Sequence, residues 1–255
     1  MPALYMPMTV MLLALVFRGV SFEYRWRTTR WKGVWDVAFF GGSVVAAMCQ
    51  GIALGALVQG IEVTGRAYSG GWFDWLTPFS ILTGVAVVVG YALLGATWLV
   101  LKTENALQIQ MRGYAWYLGA GTLALIALVS VLTPFQDPVY FERWFNLPGS
   151  VWMMIVPLVM LALIFSFFRG LNDQRDAQPF LSALGFFIVS FIGIGISFYP
   201  MMIPPSLTIW DVAAPDSSLA FALVGAVVLL PIILGYTAYA YWVFRGKMDP
   251  SEGYH

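Results

Sequence analysis

The sequence predicts an all-α fold: a polytopic bundle of about seven transmembrane helices. Three observations carry this. Charged residues make up only 10% of the 255 positions while hydrophobic ones make up 60%, against about 25% charged in a soluble domain. The mean hydropathy is +0.79. The apolar runs, such as ILTGVAVVVGYALLGATWLVL, are long and lack the two-residue alternation of a membrane β-barrel.

The uncharged windows are 1–17, 37–61, 75–101, 113–136, 144–168, 177–210 and 217–244. A helix needs about 20 apolar residues to cross the hydrocarbon core, and all windows but the first exceed that. The spans are placed near 2–18, 37–60, 77–101, 114–132, 150–168, 180–199 and 219–244, and the whole of 1–255 reads as a single transmembrane domain. The first segment, MPALYMPMTVMLLALVF, has no Lys or Arg before Arg18. A secretory signal would carry a basic start and a small-residue cleavage site, so the segment is read as a spanning helix that begins abruptly.

Orientation follows from the basic residues. Arg18, Arg25, Arg27, Arg30, Lys32, Lys102, Arg112, Arg169, Arg175, Arg245 and Lys247 fall on one set of alternate connections, and only Arg66 and Arg143 on the other. Cytoplasmic loops are the basic ones. The N-terminus is therefore expected outside and the C-terminus inside, as an odd number of spans requires. The outer connections are aromatic and proline-rich: GGWFDWLTPF, TPFQDPVYFERWFNLPGSVW and YPMMIPPSLTIWDVAAP. The last is expected to be ordered against other outer loops rather than helical throughout. TPFS at 77–80 and TPFQ at 133–136 are too short to mark a repeat.

Composition narrows the chemistry. Net charge is zero, and no basic face is large enough to track a nucleic-acid backbone. The single cysteine, Cys49, sits in an apolar run and reads as a small packing residue. The one histidine is His255, so no histidine within a span can hold a haem, although a methionine could supply an axial ligand. There is no Cys/His metal spacing, no phosphate-binding glycine loop before a lysine and no serine–histidine pair.

The sharpest group is Arg18, Glu23 and Asp36 in VFRGVSFEYRWRTTRWKGVWDVAFF. Charge at membrane depth is costly unless paired or hydrated. Arg18 and Asp36 lie at adjacent span ends on one face, so a pairing is expected, and Glu23 and Arg27 are spaced to meet if the connection is helical. One reading is a carboxylate cluster that takes protons from the cytoplasm. The other is a set of snorkelling arginines with counter-ions at the interface. Lys102 and Glu104 end the third span on the same side, and a positive-inside anchor also accounts for Lys102. Outside, Asp216 is placed to cap the last helix, whereas Asp211 has no such account. Gln50 and Gln59 are expected to hydrogen-bond between helices, and Gly51 and Gly55 form a small-xxx-small step for close packing.

FRGVSFEYR, the W-x3-WD step from Trp31 to Asp36, GIALGALVQGI, LTPFSILTG, LLGATWLVLKTE, MMIPPSLTIWDVAAP and LLPIILGYTAYAYWVFRGK together resemble subunit II of cytochrome bd-type quinol oxidases. The resemblance runs in order from about residue 2 to the C-terminus, and the closing EGYH is similar to the cyanide-insensitive branch. It implies a partner of the haem-bearing subunit I in a bacterial inner-membrane complex that oxidises quinol and reduces oxygen to water. Haem b, haem d and the quinol site would lie in subunit I. This chain would support assembly and deliver protons from the cytoplasm without being catalytic alone, and a small accessory subunit would complete the set. The family's functional arginine falls on Arg18, its acids on Glu23 and Asp36, its KTE step on Lys102 and Glu104, and its IWD aspartate on Asp211. The family begins with two further helices, so the chain is expected to be N-terminally truncated relative to it. Two readings from other classes are a secondary transporter or channel segment, which would need a polar midplane site, and a membrane scaffold without chemistry.

Overall fold

A computed structural model describes residues 2–65, 67–145 and 154–247, apart from the side chains of Pro2 and Arg143. Arg66, His255, the closing EGYH and the start of the span placed at 150 therefore lie outside the described residues. The described chain is overwhelmingly helical. Seven helices are long and apolar enough to cross a membrane: α1 Tyr5–Arg27, α2 Lys32–Gln59, α3 Pro78–Lys102, α4 Asn105–Leu132, α6 Ile155–Asn172, α7 Ala177–Phe198 and α9 Asp216–Val243. Two short helices, α5 Pro138–Phe145 and α8 Ile209–Val212, lie in the connections. Two small antiparallel hairpins complete the order. One pairs β1 Val63–Thr64 with β2 Ala67–Tyr68, the other β3 Met201–Ile203 with β4 Leu207–Thr208.

Each boundary has a local cause. Arg25 and Arg27 occupy the last turn of α1, where cations oppose the negative end of the helix dipole. The helix thus continues past Arg18 instead of stopping at the first charge. Gly60 ends α2 at φ +89°, a conformation glycine adopts without steric cost. Thr77 and Ser80 cap α3 reciprocally, with Pro78 at its first position. The two TPF stretches are not equivalent, because the second forms only a 3-10 turn, Thr133–Phe135.

Helices adjacent in sequence pack as antiparallel neighbours: α1 with α2, α2 with α3, α3 with α4, and α6 with α7. α3 also meets α7. The main core lies among α3, α4, α6 and α7, where Leu93, Ala115, Phe167, Ala183 and Phe186 are fully buried. The α2–α3 contact depends on missing side chains. A Cβ on Gly51 would stand 2.5 Å from the Thr83 carbonyl oxygen, and one on Gly55 would stand 2.1 Å from Thr83 Oγ1. Thr83 Oγ1 donates to the Gly51 carbonyl at 2.8 Å across that contact. The glycine step is thus a specific helix–helix seam.

The loops at the other end of the bundle are packed, as expected of the last of them. The β3–β4 hairpin sets Ile203 into a cluster with Ala53, Ala56 and Ile61. Tyr140 of α5 is buried and donates to the Val58 carbonyl at 2.9 Å. α9 is the exception, since no residue along it is buried.

Candidate functional site

The antiparallel order puts the C-terminal ends of α1, α3, α6 and α9 and the N-terminal ends of α2, α4 and α7 at one end of the bundle. The candidate residues Arg18, Glu23, Asp36, Lys102 and Glu104 all belong to that end, where they form two groups. No ion pair among the described residues links the groups.

The first group lies on α1 and α2. Asp36 Oδ1 accepts from Arg25 Nε, not from Arg18. Both side chains are about half exposed, at 45% for Arg25 and 51% for Asp36. The expected Arg18–Asp36 pair does not form because α1 continues as helix for nine more residues, and its last turn brings Arg25 to the first turns of α2. Arg18 instead lies level with Gly42 and sets its guanidinium over the Phe39 ring, 5.5 Å from the centroid. Phe39 is nearer the charged end than Gly42, so the side chain reaches toward that end, as a snorkelling arginine does. Glu23 is exposed, and no salt bridge joins it to Arg27 among the described residues.

The second group gathers three connections around Asp176, which was not among the residues singled out from the sequence. Its carboxylate takes Lys247 Nζ at 2.7 Å, Arg112 at 3.0 Å and Gln108 Nε2 at 3.0 Å. Partial burial pushes the Asp176 carboxyl up, but the Lys247 hydrogen bond and charge, the Arg112 charge and the Gln108 bond outweigh it and hold it below the usual carboxylate range. Arg112 also donates to the carbonyls of Gln174 and Arg175. Glu104 stands 3.9 Å from Lys247. Lys102 is buried, donates to the Phe244 carbonyl and, at 3.1 Å, to that of Gly246, and lies over the Trp98 ring. These carbonyls follow the last turn of α9, so the ammonium satisfies orphan acceptors at the negative end of that helix. The signal for Asp176 was available in sequence as an acid just ahead of an apolar run, but its partners come from two distant segments, the start of α4 and the residues after α9.

At the opposite end, Asp211 acquires an account. It forms a capping box with Thr208, whose backbone N–H and hydroxyl both donate to Asp211 Oδ2, at 2.9 and 2.5 Å. These bonds hold its carboxyl below the usual range. Asp216 is the first residue of α9, not its cap. Pro215 takes that position, and no side-chain capping bond forms. Gln59 joins α2 to other segments at that end, accepting from Thr77 Oγ1 and donating to Gln136 at 3.1 Å. Gln50 accepts from Tyr91 at 2.7 Å. Both glutamines thus bridge elements as expected.

Among the described residues Arg18 is the charged side chain nearest the middle of a span, and it reaches toward the charged end. Among the described residues no group of three His, Cys, Asp or Glu side chains could hold a metal. Seven helices long and apolar enough to cross a membrane, with most of their charged residues toward one end, define a multi-pass membrane protein.

Residues 1–244 match the family described as cytochrome bd terminal oxidase subunit II, and the chain belongs to that family. It is 31% identical to the cytochrome bd-I ubiquinol oxidase subunit 2 of Escherichia coli K12, over 97% of this chain and 75% of the relative. It is 30% identical to a probable cytochrome oxidase subunit 2 of Haemophilus influenzae, over the same shares. With the cytochrome bd ubiquinol oxidase subunit 2 of Bacillus subtilis it shares 28% identity, over 97% and 74%.

Proposed function

We propose that this chain is the haem-free second subunit of a quinol oxidase of the bacterial inner membrane, paired with a subunit I that holds haem b, haem d and the quinol site. Family membership supports this. The observation that carries the division of labour is the single histidine at position 255, past the last span. The spans thus offer no imidazole to a haem iron, so a histidine-held haem would take its ligand from the partner.

Within that complex, the charged end faces the cytoplasm and takes in protons. Asp36 and Glu23 are the carboxylates with access to water, and Arg25 holds the Asp36 carboxylate in place through their ion pair. Arg18, deeper on α1, sets the field through which a proton moves toward the partner. Lys102 and Glu104 belong to the structural half of the same end, since their partners are the segment that follows α9.

Co-expression with the neighbouring subunit tests this. The purified pair is expected to show haem absorbance and quinol-dependent oxygen uptake, and this chain purified alone to be colourless. A lone chain that retains haem in stoichiometric amount, or a pair that forms without haem and moves a solute, would overturn the proposal.

A further inference from the structure

Arg27, Arg30 and Lys32 surround the turn between α1 and α2, and all three are exposed. The only ion pair in this region among the described residues is that of Arg25 with Asp36. Residues 18–36 hold five cations and two carboxylates, and no carboxylate pairs with Arg27, Arg30 or Lys32 among the described residues.

Folding accounts for only part of this charge. Arg27 ends α1, where the helix dipole favours a cation. Lys32 opens α2, where the dipole disfavours one. Trp31, at the cap position of α2, makes no side-chain capping bond, and no acid occupies the first turn. Positive charge has therefore been added where the backbone is already positive, and no carboxylate among the described residues pairs with it.

The location identifies what does. The turn joins two membrane-spanning helices. Trp26 and Trp31 flank it with exposed rings, at 63% and 60%, and such rings settle at headgroup depth. Phe22, Val37 and Phe40, one to two turns along the same helices, are exposed as well and provide the apolar surface along which an acyl chain can lie.

We propose that Arg27, Arg30 and Lys32 form a binding site for the phosphate headgroup of an anionic phospholipid. Clustered cations at the end of a membrane helix are attracted to anionic headgroups, and the guanidinium fork matches a phosphate's oxygens. The site does not depend on the oxidase reading, because its readout is lipid retention and not turnover.

The test is native mass spectrometry of the whole, delipidated complex, titrated separately with phosphatidylglycerol, phosphatidylcholine and inorganic phosphate. Wild type is expected to retain phosphatidylglycerol more tightly than phosphatidylcholine, with retention falling as salt rises. R27Q/R30Q/K32Q is expected to bind phosphatidylglycerol at least about tenfold more weakly, and the charge-conserving R27K/R30K/K32R to lose less than that, since it keeps the charge but not the fork of Arg27 and Arg30. If the neutral triple variant does not assemble, Arg30→Gln alone, in the turn outside both helices, is expected to lose about fivefold. Equal retention of the two lipids, as when a partner's acidic segment already covers the patch, would overturn the proposal. So would unchanged binding by the neutral variants, or displacement of the lipid by inorganic phosphate at equal concentration.

Discussion

Asp36 and Asp176 show two uses of one side chain at the same end of the bundle. Asp36 is half exposed and has one cationic partner, so its carboxylate is open to water. Asp36→Asn in the assembled complex is expected to lower turnover several-fold while the fold persists, because an exposed ion pair contributes only about 0.2–1 kcal/mol. Oxygen uptake and haem content of the purified variant check this, and wild-type turnover would leave the residue as an interface anchor. Asp176 is held by Lys247, Arg112 and Gln108. Asp176→Asn is expected to loosen the segment at 244–247 by about 1 kcal/mol, read as about fivefold faster amide exchange there. The pH dependence has a definite sign. The folded-state carboxyl is lowered, so its contribution is complete above the ordinary value of about 3.9 and fades as pH falls through the lowered one. Hydrogen exchange as a function of pH should show that segment loosening only under acid.

The helices were the most legible level, since the uncharged windows find all seven, but two ends were misplaced most: α4 begins at Asn105, not near 114, and α1 runs past 18. The second is instructive. The expected end of α1 near Arg18 was set by the first charge, yet the helix reaches Arg27 because cations suit a helix C-terminus. That extension changed the partner of Asp36. α5 was not foreseen, because its apolar face reads simply as an aromatic loop until Tyr140 is seen bonded to Val58. The glycine seam is where a helix-level prediction is sharpest. Gly55→Leu would drive a side chain into Thr83 and Ser80 and is expected to cost about 1–3 kcal/mol or more by overpacking. Gly95→Ala, which meets open space, is expected to be neutral. The thermal midpoints of the two purified variants separate these outcomes.

Across the whole molecule, α9 stands apart. No residue along it is buried. Its described side-chain contacts are near its C-terminal end, where Tyr241 meets Trp98 edge-on at 5.8 Å and Lys102 binds the carbonyls that follow it. The bundle therefore holds this helix by charge and one aromatic pair at a single end. Lys102→Met is expected to expose the segment after α9 to protease in the assembled complex, with bands on a digestion gel as the readout. The linkage of Lys102, Asp176 and Lys247 was not legible in sequence, because the residues it joins lie as much as 144 positions apart, and neither hydropathy nor helical periodicity reports on such separations. The grouping of the charged residues at one end of the bundle, by contrast, was readable from the basic residues alone.

The central claim is that the charged end faces the cytoplasm, and site-directed cysteine labelling tests it most directly. In a Cys49→Ser background, Thr29→Cys in the α1–α2 turn and Ser69→Cys between β2 and α3 would be challenged with an impermeant maleimide on intact spheroplasts. Position 69 is expected to label at once and position 29 only after the membrane is opened. The reverse pattern would contradict the account.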